Sequence, residues 1–259
     1  MIYWQDPEVI ESWTVAFVDI TFLMLGLYVW GYIHSCQVEK ALFRRQFPFQ
    51  WQMVSYLTGR TFYLVTVILS AVTSVAVPPH INCNYVLKFL AFSGNIVLAC
   101  VSTNLVIRTW TVWKNNRFVC VFLALATLGH WSTLILDSKN TQVSSSLSSG
   151  SCGFLVVNPI YSAVTYMYAA IFYFVLVKVT IFGHWRSSSS SLWTIIRTQG
   201  IFYYCVAFFA NLVPLIFSWL NLNYVTNIFF VCPATCIMTI ASGRAVIPTF
   251  NTSRSLSHR

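Results

Sequence analysis

The chain has 259 residues, of which 57% are hydrophobic, 17% aromatic and only 8% charged, with a formal net charge of +9. Soluble domains carry roughly a quarter charged residues, so this balance excludes an ordinary water-soluble globule. The positive charge is dispersed along the chain rather than gathered on one soluble face, which excludes a nucleic-acid footprint.

Crossing ~30 Å of hydrocarbon at 1.5 Å per residue takes about 20 residues, and seven apolar runs approach or exceed that length. The first, about 13–34, is interrupted by Asp19 alone, and the second, about 53–77, contains only Arg60. The third, about 85–106, has Lys88 near its start and ends at the basic, Trp-studded stretch "RTWTVWKNNR". The fourth, about 119–136, is the shortest. The fifth, about 159–182, opens on Asn158-Pro159, an N-cap followed by proline at the first helical position. The sixth and seventh, about 200–219 and 225–247, are separated only by "LNLNY", which forces an antiparallel hairpin. Pro214 and Pro233 lie inside these last two runs and predict bends, with Asn211 one turn before Pro214 placed to bond a freed carbonyl.

In hydrocarbon every backbone N–H and C=O must find a partner within the chain, so the runs are expected to be α-helices. Barrel strands would be shorter and would alternate in polarity. The expected fold class is therefore all-α: a polytopic membrane protein forming a single seven-transmembrane-helix bundle over residues 1–259.

Short cytoplasmic loops collect lysine and arginine. Lys40, Arg44 and Arg45 follow the first run; Arg108, Lys114 and Arg117 the third; Lys178, Arg186 and Arg197 the fifth; and Arg244, Arg254 and Arg259 the seventh. The opposite side holds Lys139 and Lys88 together with Asp6, Glu8, Glu11 and Asp137. This alternation predicts an N-terminus outside the cytosol and a C-terminus within it, in the plasma membrane or a membrane of the secretory pathway. Tryptophan favours both interfaces. Trp30, Trp51, Trp110, Trp113, Trp185 and Trp193 fall near the predicted inner boundary, and Trp4, Trp13, Trp131 and Trp219 near the outer one. The acidic N-terminus lacks a basic n-region, so the first run is expected to remain as a span. With about a dozen residues before that run, any ligand is expected to meet the helices and their loops.

The serine-rich "DSKNTQVSSSLSSGSCG" reads as a solvated outer loop and "RSSSSSLW" as an inner linker. Of eight cysteines, Cys83 and Cys152 fall on the oxidising side, where a bridge would pin that loop over the bundle mouth; two unpaired thiols are the alternative. Cys36, Cys100, Cys120, Cys205, Cys232 and Cys236 read as small apolar fillers.

Intramembrane polar residues are costly unless they pair or face water, and they carry the functional signal. Lys88, Ala91, Asn95, Ala99 and Ser102 recur at steps of three and four, one stripe on a central third helix. Asp19 and Lys88 lie roughly 9 and 5 Å inside the outer boundary at 1.5 Å per residue, so an ion pair and separate snorkelling to headgroups are both open. Arg60 is deeper, with Asn104 or a polar crevice as its expected partner. Asp19, Arg60, Lys88, Asn95 and Ser102 are accordingly the expected pocket or polar core.

The segments "GNIVLACVSTNLVIRTWTVWKNNRFVCVFLALATLGHW" and "LWTIIRTQGIFYYCVAFFANLVPLIFSWLNLNYVTNIFFVCPATCIMTIASGRAV", with "GRTFY" around Arg60, resemble a large family of seven-span membrane proteins from mushroom-type fungi. The similarity runs from the second span to Val246 and leaves out the serine-rich loop and the extreme C-terminus. What the resemblance implies is a fold and a lineage; it brings no activity with it.

Known seven-span chemistries leave few matches. The last run has no lysine for a retinal Schiff base, the third ends "IRTWTV" without an acidic-Arg-aromatic triplet, and the last lacks an Asn-Pro aromatic motif. His130, the one clearly intramembrane histidine, reads as a hydrogen-bonded packing residue rather than a metal ligand. No catalytic constellation, cofactor motif or metal set is recognised, so an enzyme is not expected. The expected partners are the lipid bilayer and a small or lipidic ligand. Three readings stand: a receptor-like sensor with an outer pocket, a transport or lipid-handling protein using the polar stripe as a path, and a purely structural membrane protein. A route from Lys88 and Asn95 to Arg60 and the cytosol favours transport; an outer pocket closed below favours sensing.

Overall fold

The computed structural model describes residues 4–43, 51–75, 82–143, 155–156, 159–186 and 191–257. Helices α1 (Pro7–Phe43), α2 (Trp51–Val75), α3 (Cys83–Val112), α4 (Arg117–Asn140), α5 (Pro159–Arg186), α6 (Ser191–Leu220), α7 (Tyr224–Phe229) and α8 (Val231–Ser257) follow in chain order. Two-residue strands β1 (Gln142–Val143) and β2 (Leu155–Val156) pair antiparallel in the loop after α4. Seven helical segments are long and apolar enough to cross a membrane, with α7 and the first part of α8 counting as one span, Tyr224–Val246.

The helices begin where local chemistry satisfies their orphan N–H groups. The Asn82 side chain accepts from the Asn84 N–H at 3.1 Å at the start of α3, and Asn116 caps α4. Asn223 opens α7 with a capping box: its side chain accepts from the Thr226 N–H at 2.7 Å while Thr226 accepts from the Asn223 N–H. Asn221, in the tight turn before it, takes the left-handed conformation at φ 43°, which asparagine tolerates better than most residues. α5 begins at Pro159, as the Asn158-Pro159 signature predicts.

Proline acts differently in the last two spans. Pro233, third in α8, has no N–H for the Phe229 carbonyl and its ring crowds that oxygen. The seventh span therefore breaks at Phe230 rather than bending smoothly. Pro214 is held inside α6. Asn211 does not bond the Ala210 carbonyl that Pro214 leaves without its helical donor. Its amide donates instead to the Ala207 carbonyl and to Met238 Sδ, both at 2.8 Å, and so ties α6 to α8.

Lipid tails are as apolar as leucine, so helix association inside a bilayer rests on close packing and interhelical hydrogen bonds. α3 packs against α2, α4, α5 and α8, in the central place expected for it, and α8 packs against α1, α2, α3 and α6. The seventh span is the more enclosed of the two central elements: 67% of its apolar window is buried, against 44% for α3 and 11% for the first span. Small residues bring α2 and α3 together. A Cβ on Gly59 would sit 3.0 Å from Cys100 Cβ, the Ser55 hydroxyl donates to the Cys100 carbonyl at 3.0 Å, and Thr66 bonds Ser93 at 2.8 Å. At the other end of α3, Thr109 meets Thr180 of α5 at 3.1 Å and Tyr204 of α6 at 3.0 Å.

Leu23, Leu27, Leu125, Ile171, Phe209 and Ile216 are exposed on the outside of the bundle. Such a belt in water would drive aggregation, whereas hydrocarbon solvates it without cost. Trp30, Trp51 and Trp219 lie exposed near span ends, as interfacial anchors would. Trp113 departs from that expectation. It is buried, its ring N–H donates to the Val179 carbonyl at 3.0 Å, and it stacks on Phe182. Gly183 permits this approach, since a Cβ there would lie 2.5 Å from Trp113 Nε1.

Candidate functional site

A cavity of about 260 Å³ opens at one end of the bundle. Its walls come from the starts of α1, α3, α5 and α7 and the ends of α2 and α4, all of which the alternating spans bring to the same end as the N-terminus. Phe17, Val67, Leu87, Leu90 and Leu98 give it an apolar body, and threonine and serine hydroxyls from four helices, with Thr141 just past α4, give it a polar lining. Among the described lining residues Asp137 is the one carboxylate, and no lysine, arginine or histidine is among them.

The floor is made by Tyr63, Leu98, Cys232 and Thr235. Further along the same helices come Val101, Leu105 and Met238, packed with Tyr204 of α6, each at most 2% exposed. Beyond that layer lies a separate void of about 10 Å³ beside Arg60 and Asn104, which shares no lining residue with the first.

Of the residues expected at the site, the structure brings only Asn95 to the cavity. Its amide donates to Ser138 Oγ at 2.7 Å and to Asp137 Oδ2 at 3.3 Å, joining α3 to α4. Ala91, on the same stripe, also lines the wall. Ser102 is buried and turned back on its own helix, where its hydroxyl donates to the Ala99 carbonyl at 2.9 Å. Asp19 and Lys88 are both exposed, line neither void and form no ion pair with each other. The stripe on α3 thus divides by depth: free of neighbours at Lys88, facing the cavity at Ala91 and Asn95, and packed at Ser102.

Arg60 is deep and enclosed, 7% exposed. It donates to the Tyr56 hydroxyl and to the Tyr32 carbonyl, the latter at 3.3 Å. Its guanidinium lies 4.4 Å from the centre of the Tyr32 ring and 5.4 Å from that of Tyr56, which spreads the charge over two π faces. Among the described residues these contacts are to Tyr32 and Tyr56 rather than to Asn104. That side chain donates instead to Ser242 Oγ at 3.2 Å, leaving its buried oxygen without a donor.

His130 packs as expected but is not hydrogen-bonded. It stacks on Phe172 at 5.1 Å and on Tyr168 at 6.0 Å, with neither ring nitrogen partnered. Cys83 is disulfide-bonded, while Cys36, Cys100, Cys120, Cys205, Cys232 and Cys236 are free thiols. Cys152 lies outside the described residues, as does most of the serine-rich loop. Among the free thiols Cys236 fills the core as expected, but Cys232 lines the cavity.

Two further residues of this site escape the sequence reading. Asp137 falls in the expected outer loop, yet α4 continues to Asn140 and carries it into the wall. Asn227 is 6% exposed on α7, and as the lone amide in the apolar "YVTNIFF" it offered a usable signal.

Fold and cavity together define a multi-pass α-helical membrane protein whose seven-span bundle holds a hollow at one end. No protein-family model matches the chain, and no curated protein is similar to it.

Proposed function

We propose that the protein is a receptor-like sensor, with its N-terminus and cavity on the non-cytosolic side, that holds a small or lipidic ligand in the cavity. The supporting observation is the closed floor. Transport along the bundle needs a polar route past Tyr63 and Leu98 toward Arg60, and the packed layer of Val101, Leu105, Tyr204 and Met238 occupies that course. A hollow of this kind, mostly apolar with a few converging polar groups, is the usual form of a small-molecule site. The basic residues of the connections assigned to the inner side support this orientation. The disulfide at Cys83 fits an oxidising side at that end, and Cys152, the remaining cysteine, is the partner we assign to it. The resemblance to fungal seven-span proteins is compatible with this reading and contributes lineage only.

Cys232 is a native reporter of the floor, because it lines the cavity as a free thiol. With the other free cysteines replaced by serine, a membrane-impermeant thiosulfonate added to intact cells is expected to modify Cys232. The same reagent added to the cytosolic side of inside-out vesicles is expected to leave it unmodified. Modification from both sides would reveal a through-route and favour transport.

A further inference from the structure

Several of the cavity's polar groups are held as acceptors. Four of its threonine and serine hydroxyls direct their protons to backbone carbonyls of their own helices: Thr14 to Ile10 at 2.8 Å, Thr73 to Leu69 at 2.9 Å, Ser74 to Ser70 at 2.8 Å and Thr235 to Val231 at 2.7 Å. What these groups turn toward the hollow is lone pairs. Asn95 uses its amide donor on Ser138 and Asp137 Oδ2, so that oxygen is held as an acceptor. Asp137 Oδ1 is buried with no donor at all. Asn227 is more than nine-tenths buried and lines the same cavity; its amide donates to Asn221 Oδ1 at 3.0 Å while its own oxygen has no donor. Two orphaned buried acceptors in one native cavity are costly unless something supplies them.

We infer that the cavity binds a cationic amine, an apolar molecule whose ammonium group faces the Asp137 carboxylate and whose body lies over Leu87, Leu90 and Leu98. An ammonium brings up to three N–H donors and no acceptor, and its charge matches a wall that, among the described residues, holds one carboxylate and no cation. An anion would meet the Asp137 carboxylate and the lone pairs of these four hydroxyls. A neutral alcohol supplies a single donor and leaves the carboxylate uncompensated. This assignment rests on the cavity being a ligand site, as proposed above.

The test uses three probes with one skeleton, 2-phenylethylamine, 2-phenylethanol and phenylacetate, titrated by ligand-observed NMR against the full chain in phosphatidylglycerol nanodiscs. The amine is expected to bind at least about tenfold more tightly than the alcohol, a charge-assisted hydrogen bond against a neutral one, with phenylacetate weakest. Asp137→Asn keeps the side-chain shape and is expected to erase the preference for the amine while leaving the alcohol's affinity within about twofold. Gly94 lines the cavity and a Cβ there would meet nothing within 4 Å, so Gly94→Leu fills the hollow without a backbone clash and is expected to abolish binding of all three. An alcohol that binds the wild-type protein as well as the amine does overturns the ammonium assignment, whether or not the variants fold, and leaves the cavity reading standing. The same holds if the preference survives Asp137→Asn. Failure of all three probes to bind, or binding that survives Gly94→Leu, overturns the cavity as a ligand site. Adding phosphatidylethanolamine to the nanodiscs separates two sources of the same ammonium chemistry. Suppressed amine binding identifies a lipid headgroup as occupant, and unchanged binding a free amine.

Discussion

Replacing Arg60 by alanine is expected to lower stability by about 3 kcal/mol, within the range for truncating a large buried side chain. The arginine sits between Tyr32 and Tyr56 and donates to both residues. Two opposing terms decide the outcome. Burying a guanidinium is costly in itself. Against that stand hydrogen bonds to a charged donor, about 1.5–3 kcal/mol each, and two cation–π contacts of up to about 2 kcal/mol apiece when desolvated. Truncation to alanine removes the favourable terms and also leaves a hole beside the small void that already adjoins Arg60 and Asn104. Methionine fills the space without a charge to desolvate, so Arg60→Met should recover more than half of the loss. Lysine keeps the charge but has no planar face to lay between two rings, and Arg60→Lys should fall between alanine and methionine. Thermal unfolding in a single detergent ranks the three. Alanine equal to wild type would mean that the guanidinium's burial cost cancels its contacts.

Cys83→Ser is expected to cost about 2–4 kcal/mol, the usual worth of a disulfide that closes a loop. Six of the other cysteines are free thiols, so a reductant acts on stability through this bond. Dithiothreitol should bring the wild-type unfolding midpoint down to that of Cys83→Ser and leave the variant unmoved. Cys152→Ser should reproduce the loss if it is the partner, and a double variant should be no worse than either single one. Additive losses would place the partner elsewhere.

The seven spans were legible because hydrocarbon thickness and backbone hydrogen bonding leave few alternatives. Local signals held as well: proline opened α5, and Pro233 interrupted the last span at Phe230. Facing was much less legible. In water a helix advertises its buried side by an apolar stripe, but here lipid and core are equally apolar, so Asp19 and Ser102 look alike in the sequence although one is exposed and the other buried. Helix length was hidden for a related reason. The uncharged apolar run ends at Leu136, whereas α4 continues to Asn140 and includes Asp137. The cavity's acceptor-rich character depends on where hydroxyl protons go, and only packed helices decide that.

Everything proposed for the cavity rests on a bundle that threads the bilayer seven times, with the cavity facing away from the cytosol. Epitope tags at both ends, stained on intact and on permeabilised cells expressing the protein at the surface, test this directly. The N-terminal tag should be detected on intact cells and the C-terminal tag only after permeabilisation. Detection of both tags on the same face would contradict the seven-span threading, and a C-terminal tag alone on intact cells would place the cavity on the cytosolic side.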